Sequence, residues 1–295
     1  MRVLALDVGG TAIKSALISD GEIKMESQLP SEGKLGGPHI IHNIMRMIDS
    51  YTDYDVIGIS TTGQVDSTRG SIIYANDNVP NYTGTHLSKI MMDKYNKPVF
   101  VENDVNAAAI GEGYYGAGKK EKDFLCLTYG TGIGGAIIMN KQIYKGRDGV
   151  AGEMGHMVTH IGGRECTCGQ HGCYEQYAST TALIREVMTY DNHLNSGKLV
   201  FSSIENGNQE VKAMVDTWID EIIYGLINVI HIFNPSAVIL GGGIMAQPYI
   251  IESIHTRISN KLMNSFKNVK LLTAELGNNA GVYGMAAIAN EKCKK

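Results

Sequence analysis

Near the N-terminus, VLALDVGGTAIKSALI reads as an apolar run, a Gly-Gly turn and a second β-prone run, which predicts two antiparallel strands. The plan returns in LCLTYGTGIGGAIIM, where Thr128 takes the place of Asp7 and glycines again fill the turn, so two similar halves are expected. Between them DVIGIST, SIIYA and PVFVEND are strand-like, and VNAAAIGEGYYGAG is Ala-rich and helical until its glycines end it. In AMVDTWIDEIIYGLINVIHIF, Met214, Trp218, Ile222, Leu226 and Ile230 recur every four residues beside Val215, Ile219, Ile223 and Ile227. That stripe predicts a buried helix ending at Pro235. AVIL then forms a strand running into Gly241, Gly242 and Gly243, VKLLTAEL a further strand, and an Ala-rich helix closes the chain. Strands alternating with helices give an α/β class. The glycine-rich stretch Gly113 to Lys120 is the expected border between an N-terminal α/β domain (1–117, completed by the C-terminal helix at about 281–295) and a C-terminal one (118–280).

Composition narrows the function. With 295 residues, 43% hydrophobic and 19% charged, the chain can fill the cores of roughly two domains of about 150 residues. A formal charge of −4 offers no basic footprint for nucleic acid. The opening MRVLALDVGG has one basic residue and an apolar run stopped by Asp7, so it is neither a secretory signal nor a span of about 20 apolar residues. A cytoplasmic protein without a membrane partner is expected. Thiols stay reduced in that compartment, so clustered cysteines are more readily ligands or catalysts than disulfides.

Glycine turns let backbone N–H groups approach an anion closely. Two of them mislead. GYYGAGKK has the spacing of a phosphate loop but carries Lys120 where a magnesium-binding Ser or Thr belongs, and it follows a helix instead of a strand. GTGIGG fits a dinucleotide fingerprint, yet it leads into the strand-like AIIMN where that fingerprint must open a helix. A glycine hairpin between strands remains.

DVGGTAIK, GQVD, ENDVNAAA, YGTGIGG, GEMGH, CTCGQHGC and LGGG occur in an order that resembles the ROK family (repressors, open reading frames and kinases) from residue 3 to about 290. The resemblance implies a two-domain actin-like ATPase (ribonuclease H-like) fold with an interdomain cleft. It also implies ATP-dependent phosphorylation of a hexose or hexose derivative at the 6-hydroxyl, most simply glucose. N-acetylmannosamine, a β-glucoside or fructose are the rival acceptors. By the same resemblance Gly9, Gly10 and Thr11, with Gly130, Thr131 and Gly132, hold the ATP phosphates, Asp7 organises hydrated magnesium, and Gly241, Gly242 and Gly243 face adenosine. Asp104 is the expected catalytic base, ionised at neutral pH if it keeps an ordinary value of about 3.9; its competing role is to cap the following helix. Asn103, Asp104, Glu153, His156 and Glu175 are the expected sugar contacts, with Asn78 and the turn at Thr62 and Gly63 beside them. Where many relatives have a tryptophan, NVPNYTG has Tyr82.

His156, Cys166, Cys168 and Cys173 supply one histidine and three thiolates, the complete ligand count of a structural zinc site. A redox dithiol and ordinary buried thiols are the alternatives. C-x-C is not the usual redox spacing, and buried thiols do not explain the clustering. His160 and His171 are understudies for the histidine ligand and are expected to face solvent or the site instead; Cys126 reads as core and Cys293 as exposed. Glu153 and His156, three apart, would share a helix face. The family's other branch, sugar-responsive repressors, carries an extra N-terminal DNA-binding segment, for which a hairpin beginning at residue 3 leaves no room; a sugar-binding sensor without turnover is a third reading. The family leads to the expectation of a homodimer.

Overall fold

A computed structural model describes residues 1–294; Lys295, the last residue of the expected C-terminal helix, lies outside the described residues. The predicted first hairpin forms: β1 (Arg2–Val8) pairs antiparallel with β2 (Ala12–Ser19), and β2 with β3 (Glu22–Pro30). After α1 (Gly37–Asp49) comes β4 (Val56–Thr61), which runs parallel to β1. The short pair β5 (Gln64–Asp66) and β6 (Ser71–Tyr74) and helix α2 (Leu87–Tyr95) lead to β7 (Val99–Asn103), parallel to β4, and to α3 (Asp104–Tyr115). The first sheet therefore has the order β3-β2-β1-β4-β7. Ile40, Ile44, Met47 and Ile48 give α1 one buried face toward this sheet. Each such side chain, fully buried, contributes about 1.5–3 kcal/mol.

The glycine turn repeats between β8 (Phe124–Tyr129) and β9 (Ile133–Met139), followed by β10 (Gln142–Ile143). Helices α4 (Glu175–Ala178), α5 (Thr180–Tyr190), α6 (Gly197–Glu205) and α7 (Gln209–Phe233) precede β11 (Ala237–Gly241), α8 (Pro248–Ile258) and β12 (Lys270–Thr273). The second sheet has the order β10-β9-β8-β11-β12. The predicted stripe is the buried face of α7, where Trp218 donates its indole N–H to the Ser179 carbonyl at 3.0 Å. Its end is set by Asn234 in the left-handed conformation, one residue before Pro235.

α9 (Ala280–Lys292) closes the described chain. The chain divides into two compact units: residues 1–120 and 136–151 with the segment from Glu275 onward, and residues 121–135 with 152–274. In the first unit α9 packs on α3 so closely that a Cβ on Gly284 would stand 1.8 Å from the Ala107 carbonyl oxygen. The buried Glu112 fixes the return of the chain by accepting from the backbone N–H groups of Ala117 (2.8 Å), Glu275 (3.2 Å) and Leu276 (2.8 Å). No described helix is long and apolar enough to cross a membrane.

Candidate active site

In the first unit, parallel pairing of β1, β4 and β7 brings Asp7, Ser60, Thr61 and Asn103 to one end of the sheet. Open α/β sheets gather ligands at the carboxyl ends of their strands. Ser60 donates its hydroxyl to Asp7 Oδ1 at 2.8 Å, and Lys14 stands opposite Asp7 in the β1–β2 register. Burial nonetheless raises the Asp7 pKa above its usual range, against the Ser60 hydrogen bond and the Lys14 charge. The Gly9 N–H closes the turn on the Ala12 carbonyl at 2.9 Å and leaves Gly10 and Thr11 exposed.

Asn103 ends β7 and caps α3: its Oδ1 accepts from the N–H groups of Val105 and Asn106, both at 3.0 Å. The cap considered for Asp104 thus belongs to Asn103, because the β7 backbone stays extended through that residue. Asp104 is the first helical residue, half-buried, with Oδ1 accepting from the Val105 N–H and from Asn103 Nδ2, both at 2.9 Å. Asn103 Nδ2 also donates to the Gly63 carbonyl at 3.0 Å. Asp104 departs from the ordinary carboxylate expected above: burial, with the Asp7 charge in second place, pushes its pKa up to about 7. That value suits a general base working near neutrality. Asn78 is exposed on a turn. Tyr82 is wholly buried, its hydroxyl 3.0 Å from Thr61 Oγ1 and its pKa pushed up to about 12 by burial, so this position braces the sheet end from within.

In the second unit the turn is closed by the Gly130 N–H on the Gly132 carbonyl at 3.0 Å, with Gly130 and Thr131 exposed. Gly130 also accepts at 3.0 Å from the N–H of Thr180, where α5 begins. A cavity of about 400 Å³ opens there, bounded by Gly130, Thr131, Gly243, Thr180, Thr181 and Asn195, with Ile184 and Ile244 as apolar walls. Its size and mixed lining suit a small molecule. Of the three late glycines only Gly243 lines it; Gly241 is buried in β11 and Gly242 is exposed beside it. Thr180, Thr181 and Asn195 were not among the expected residues. For Thr180 and Thr181 the one local signal is the run STT before an apolar stretch, which marks the start of a helix; Asn195 has none.

GEMGH forms a 3₁₀ turn over Met154–His156, so the expected α-helical face does not exist, although Glu153 Oε2 still lies 3.9 Å from His156 Nε2. The opposite ring nitrogen, Nδ1, lies 3.6 Å from Cys166 Sγ and 3.9 Å from Glu175 Oε1. Cys168 and Cys173 are 3.6 Å apart, and all four ligand atoms lie within 4.8 Å of one another. A tetrahedral zinc with bonds of about 2.0–2.3 Å would separate its ligands by about 3.6–3.8 Å. Burial, and the thiols around it, push Cys173 up to about 12, a cost of ionisation that a bound dication offsets. The four residues fit a structural metal centre. His160 is engaged elsewhere, stacked on Tyr177 with ring centres 3.7 Å apart and facing Glu221 at 3.5 Å, while His171 is exposed. Glu175 joins this centre to the hairpin: it accepts from Cys166 Sγ at 3.3 Å and from the Ile133 N–H at 3.4 Å. A Cβ on Gly132 would stand 2.4 Å from Glu175 Oε2, so a side chain there would displace that carboxylate.

A family model described as ROK family matches residues 3–292. The chain is 30% identical to the glucokinase of Thermotoga maritima over 312 residues, covering 99% of this chain and 98% of that one. It is 32% identical to the xylose repressor of Bacillus subtilis over 281 residues, covering 94% of this chain and 72% of the repressor. The crystal structure of a ROK family glucokinase from Streptomyces griseus, in complex with glucose and AMPPNP, matches with a TM-score of 0.88 at 28% identity, covering 99% of this chain and 100% of that one.

Proposed function

The chain belongs to the ROK family and has its two-domain actin-like ATPase fold, and from that premise we propose that it is an ATP-dependent kinase placing phosphate on the 6-hydroxyl of a hexose or hexose derivative. The observation that carries this reading is Asp104, held at a strand-to-helix turn with its pKa near 7. In phosphoryl transfer the protein mainly positions reactants and neutralises charge. Asp104 accepts the proton of the sugar hydroxyl as that oxygen attacks the γ-phosphate. Asn103, already fixed by four hydrogen bonds, presents its amide beside the base. In the first unit Gly10 and Thr11, and in the second Thr131 and Gly132, offer backbone N–H donors to phosphate oxygens, while Gly9 and Gly130 shape those turns by closing them with their own N–H groups. Asp7 is the carboxylate for hydrated magnesium, a hard cation that keeps several waters and takes one or two such ligands.

The cavity beside Gly243 takes the nucleoside of ATP, its threonines and Asn195 facing polar groups and Ile184 and Ile244 the base; the complex of the Streptomyces griseus glucokinase with AMPPNP supports ATP as the phosphate donor. Glu153, His156 and Glu175 are assigned to sugar hydroxyls, and zinc held by His156, Cys166, Cys168 and Cys173 fixes their loop. His156 Nδ1 faces the Cys166 thiol at 3.6 Å and would be the nitrogen that holds the metal, which would leave Nε2 for substrate. Asn78 and the late glycines Gly241 and Gly242 keep supporting places at the edges of the two sites. The enzyme acts in the cytoplasm as a homodimer.

A coupled assay of ADP release over glucose, N-acetylmannosamine, a β-glucoside and fructose tests the proposal. Sugar-dependent ADP release is expected. The match to a xylose repressor supports one second reading, a sugar-responsive regulator. Sugar binding with no ADP release from any acceptor would favour that reading and defeat the kinase.

A further inference from the structure

Glu102 stands in β7 one residue before its last residue, Asn103, and is only 3% exposed. Its Oε1 accepts from the backbone N–H of Asn103 at 3.1 Å and from Asn106 Nδ2 at 3.2 Å. Its Oε2 accepts from Lys145 Nζ at 2.6 Å. Lys145 also donates to Ser67 Oγ, and its carbonyl accepts from the Ala151 N–H at 3.1 Å. One carboxylate thus grips the chain on both sides of Asp104, one residue before it and two after, while one ammonium ties three separate segments of the first unit together.

Stability alone does not account for this pair. Glu102 is buried while the Lys145 side chain is 31% exposed; replacing an ion pair with a buried partner by well-packed apolar groups is often neutral or stabilising, whereas removing the lysine alone leaves a costly unpaired carboxylate. What the pair supplies is geometry, at the turn where geometry decides rate: a displacement of about 1 Å at a reacting group can cost about 100-fold.

We propose that Glu102 and Lys145 are positioning residues for Asp104, an ion pair that locks the strand-to-helix turn while Lys145 cancels the charge Glu102 would otherwise add beside the base. This rests on the kinase reading. Asp7 from β1, and through it Lys14 from β2, are the other charged groups at this corner, and they stay unchanged in the variants below.

The test compares Lys145→Met, Lys145→Arg, Glu102→Gln and the double variant Glu102→Gln/Lys145→Met in the full chain, using the best sugar of the panel and thermal melting to check folding. Lys145→Met is expected to lower kcat about ten-fold or more with KM for ATP within about two-fold, and Lys145→Arg to regain most of that loss. The double variant should exceed Lys145→Met by at least about three-fold, because no buried charge is left unpaired. A kcat for Lys145→Met within about two-fold of wild type, or a double variant that simply multiplies the two single losses, overturns the proposal. Should Lys145→Met fail to fold, the neutral double variant decides: lowered kcat at unchanged KM supports positioning, and wild-type kcat refutes it. If the wild type itself phosphorylates no sugar, the kinase reading falls separately. Positioning is then read from the Asp104 carboxyl signal in an NMR titration of wild type and Lys145→Met, or of the double variant if the single does not fold. Its midpoint is expected to rise by at least about half a pH unit in Lys145→Met and to return toward wild type in the double variant. A midpoint unmoved in Lys145→Met, or a double-variant midpoint displaced from wild type, overturns the proposal.

Discussion

Asp104→Asn keeps the shape of the side chain and an Oδ1 able to accept from the Val105 N–H and Asn103 Nδ2, and removes only the carboxylate charge. Two effects of opposite sign follow. The base is lost, so kcat should fall about 10²- to 10⁴-fold, or about 3–5 kcal/mol in the barrier. The fold should gain, because burial raises the Asp104 pKa from 3.8 to about 7. A carboxyl whose folded pKa lies above its unfolded one binds its proton more tightly when folded. It therefore costs stability as pH rises from about 4 to about 7, and the full cost persists above that range. At about 1.4 kcal/mol per pH unit the cost reaches up to about 4 kcal/mol at pH 8. Thermal melting of both proteins between pH 4 and pH 8 measures it. Asp104→Asn should melt above wild type at pH 8, with the gap closing toward pH 4. A variant that retains turnover, or one that melts no higher than wild type at pH 8, would refute the reasoning.

The pH profile of kcat/KM should fall about ten-fold per unit below a midpoint near 7, since Asp104 must be ionised to act; a flat profile from pH 5.5 to 8 contradicts the assignment. Metal emission on gently purified protein should find about one zinc per chain. Cys166→Ser should lower that content and weaken sugar binding or thermal stability, and less than about half an equivalent in wild type counts against the metal centre. Gly132→Ala must push Glu175 away from a Cβ that would otherwise stand 2.4 Å from its Oε2, so KM for sugar or ATP should rise about ten-fold; unchanged constants would show that the turn tolerates a side chain.

The two glycine hairpins and α7 were legible because a local pattern sufficed: alternating apolar runs around a turn in the first case, a four-residue period in the second. α1 has an apolar spacing just as regular, but it opens at Gly36 with φ of 94° and no side-chain cap, so its start was marked by Pro38 without a capping residue, and the Gly-Gly-Pro run reads as a turn. β3 is largely exposed and polar, an edge strand that only its pairing with β2 defines. The cluster of His156 and three cysteines was readable for the same local reason, since its three cysteines fall within eight residues. The cavity was not, because Gly130, Thr180, Asn195 and Gly243 come from four distant parts of the chain. Nor was the tuning of Asp104, which depends on burial and on Asp7 a whole sheet of sequence away.

If the proposal holds, phosphate passes from ATP to a sugar whose hydroxyl proton is taken by Asp104. Mass spectrometry and phosphorus NMR of a reaction holding ATP, magnesium and the best acceptor test it most directly, with wild type and Asp104→Asn run in parallel. The wild type should form a hexose 6-phosphate one for one with ADP, and the variant at least about 100-fold less. Equal product from both proteins, or ADP formed without any sugar phosphate, would contradict it.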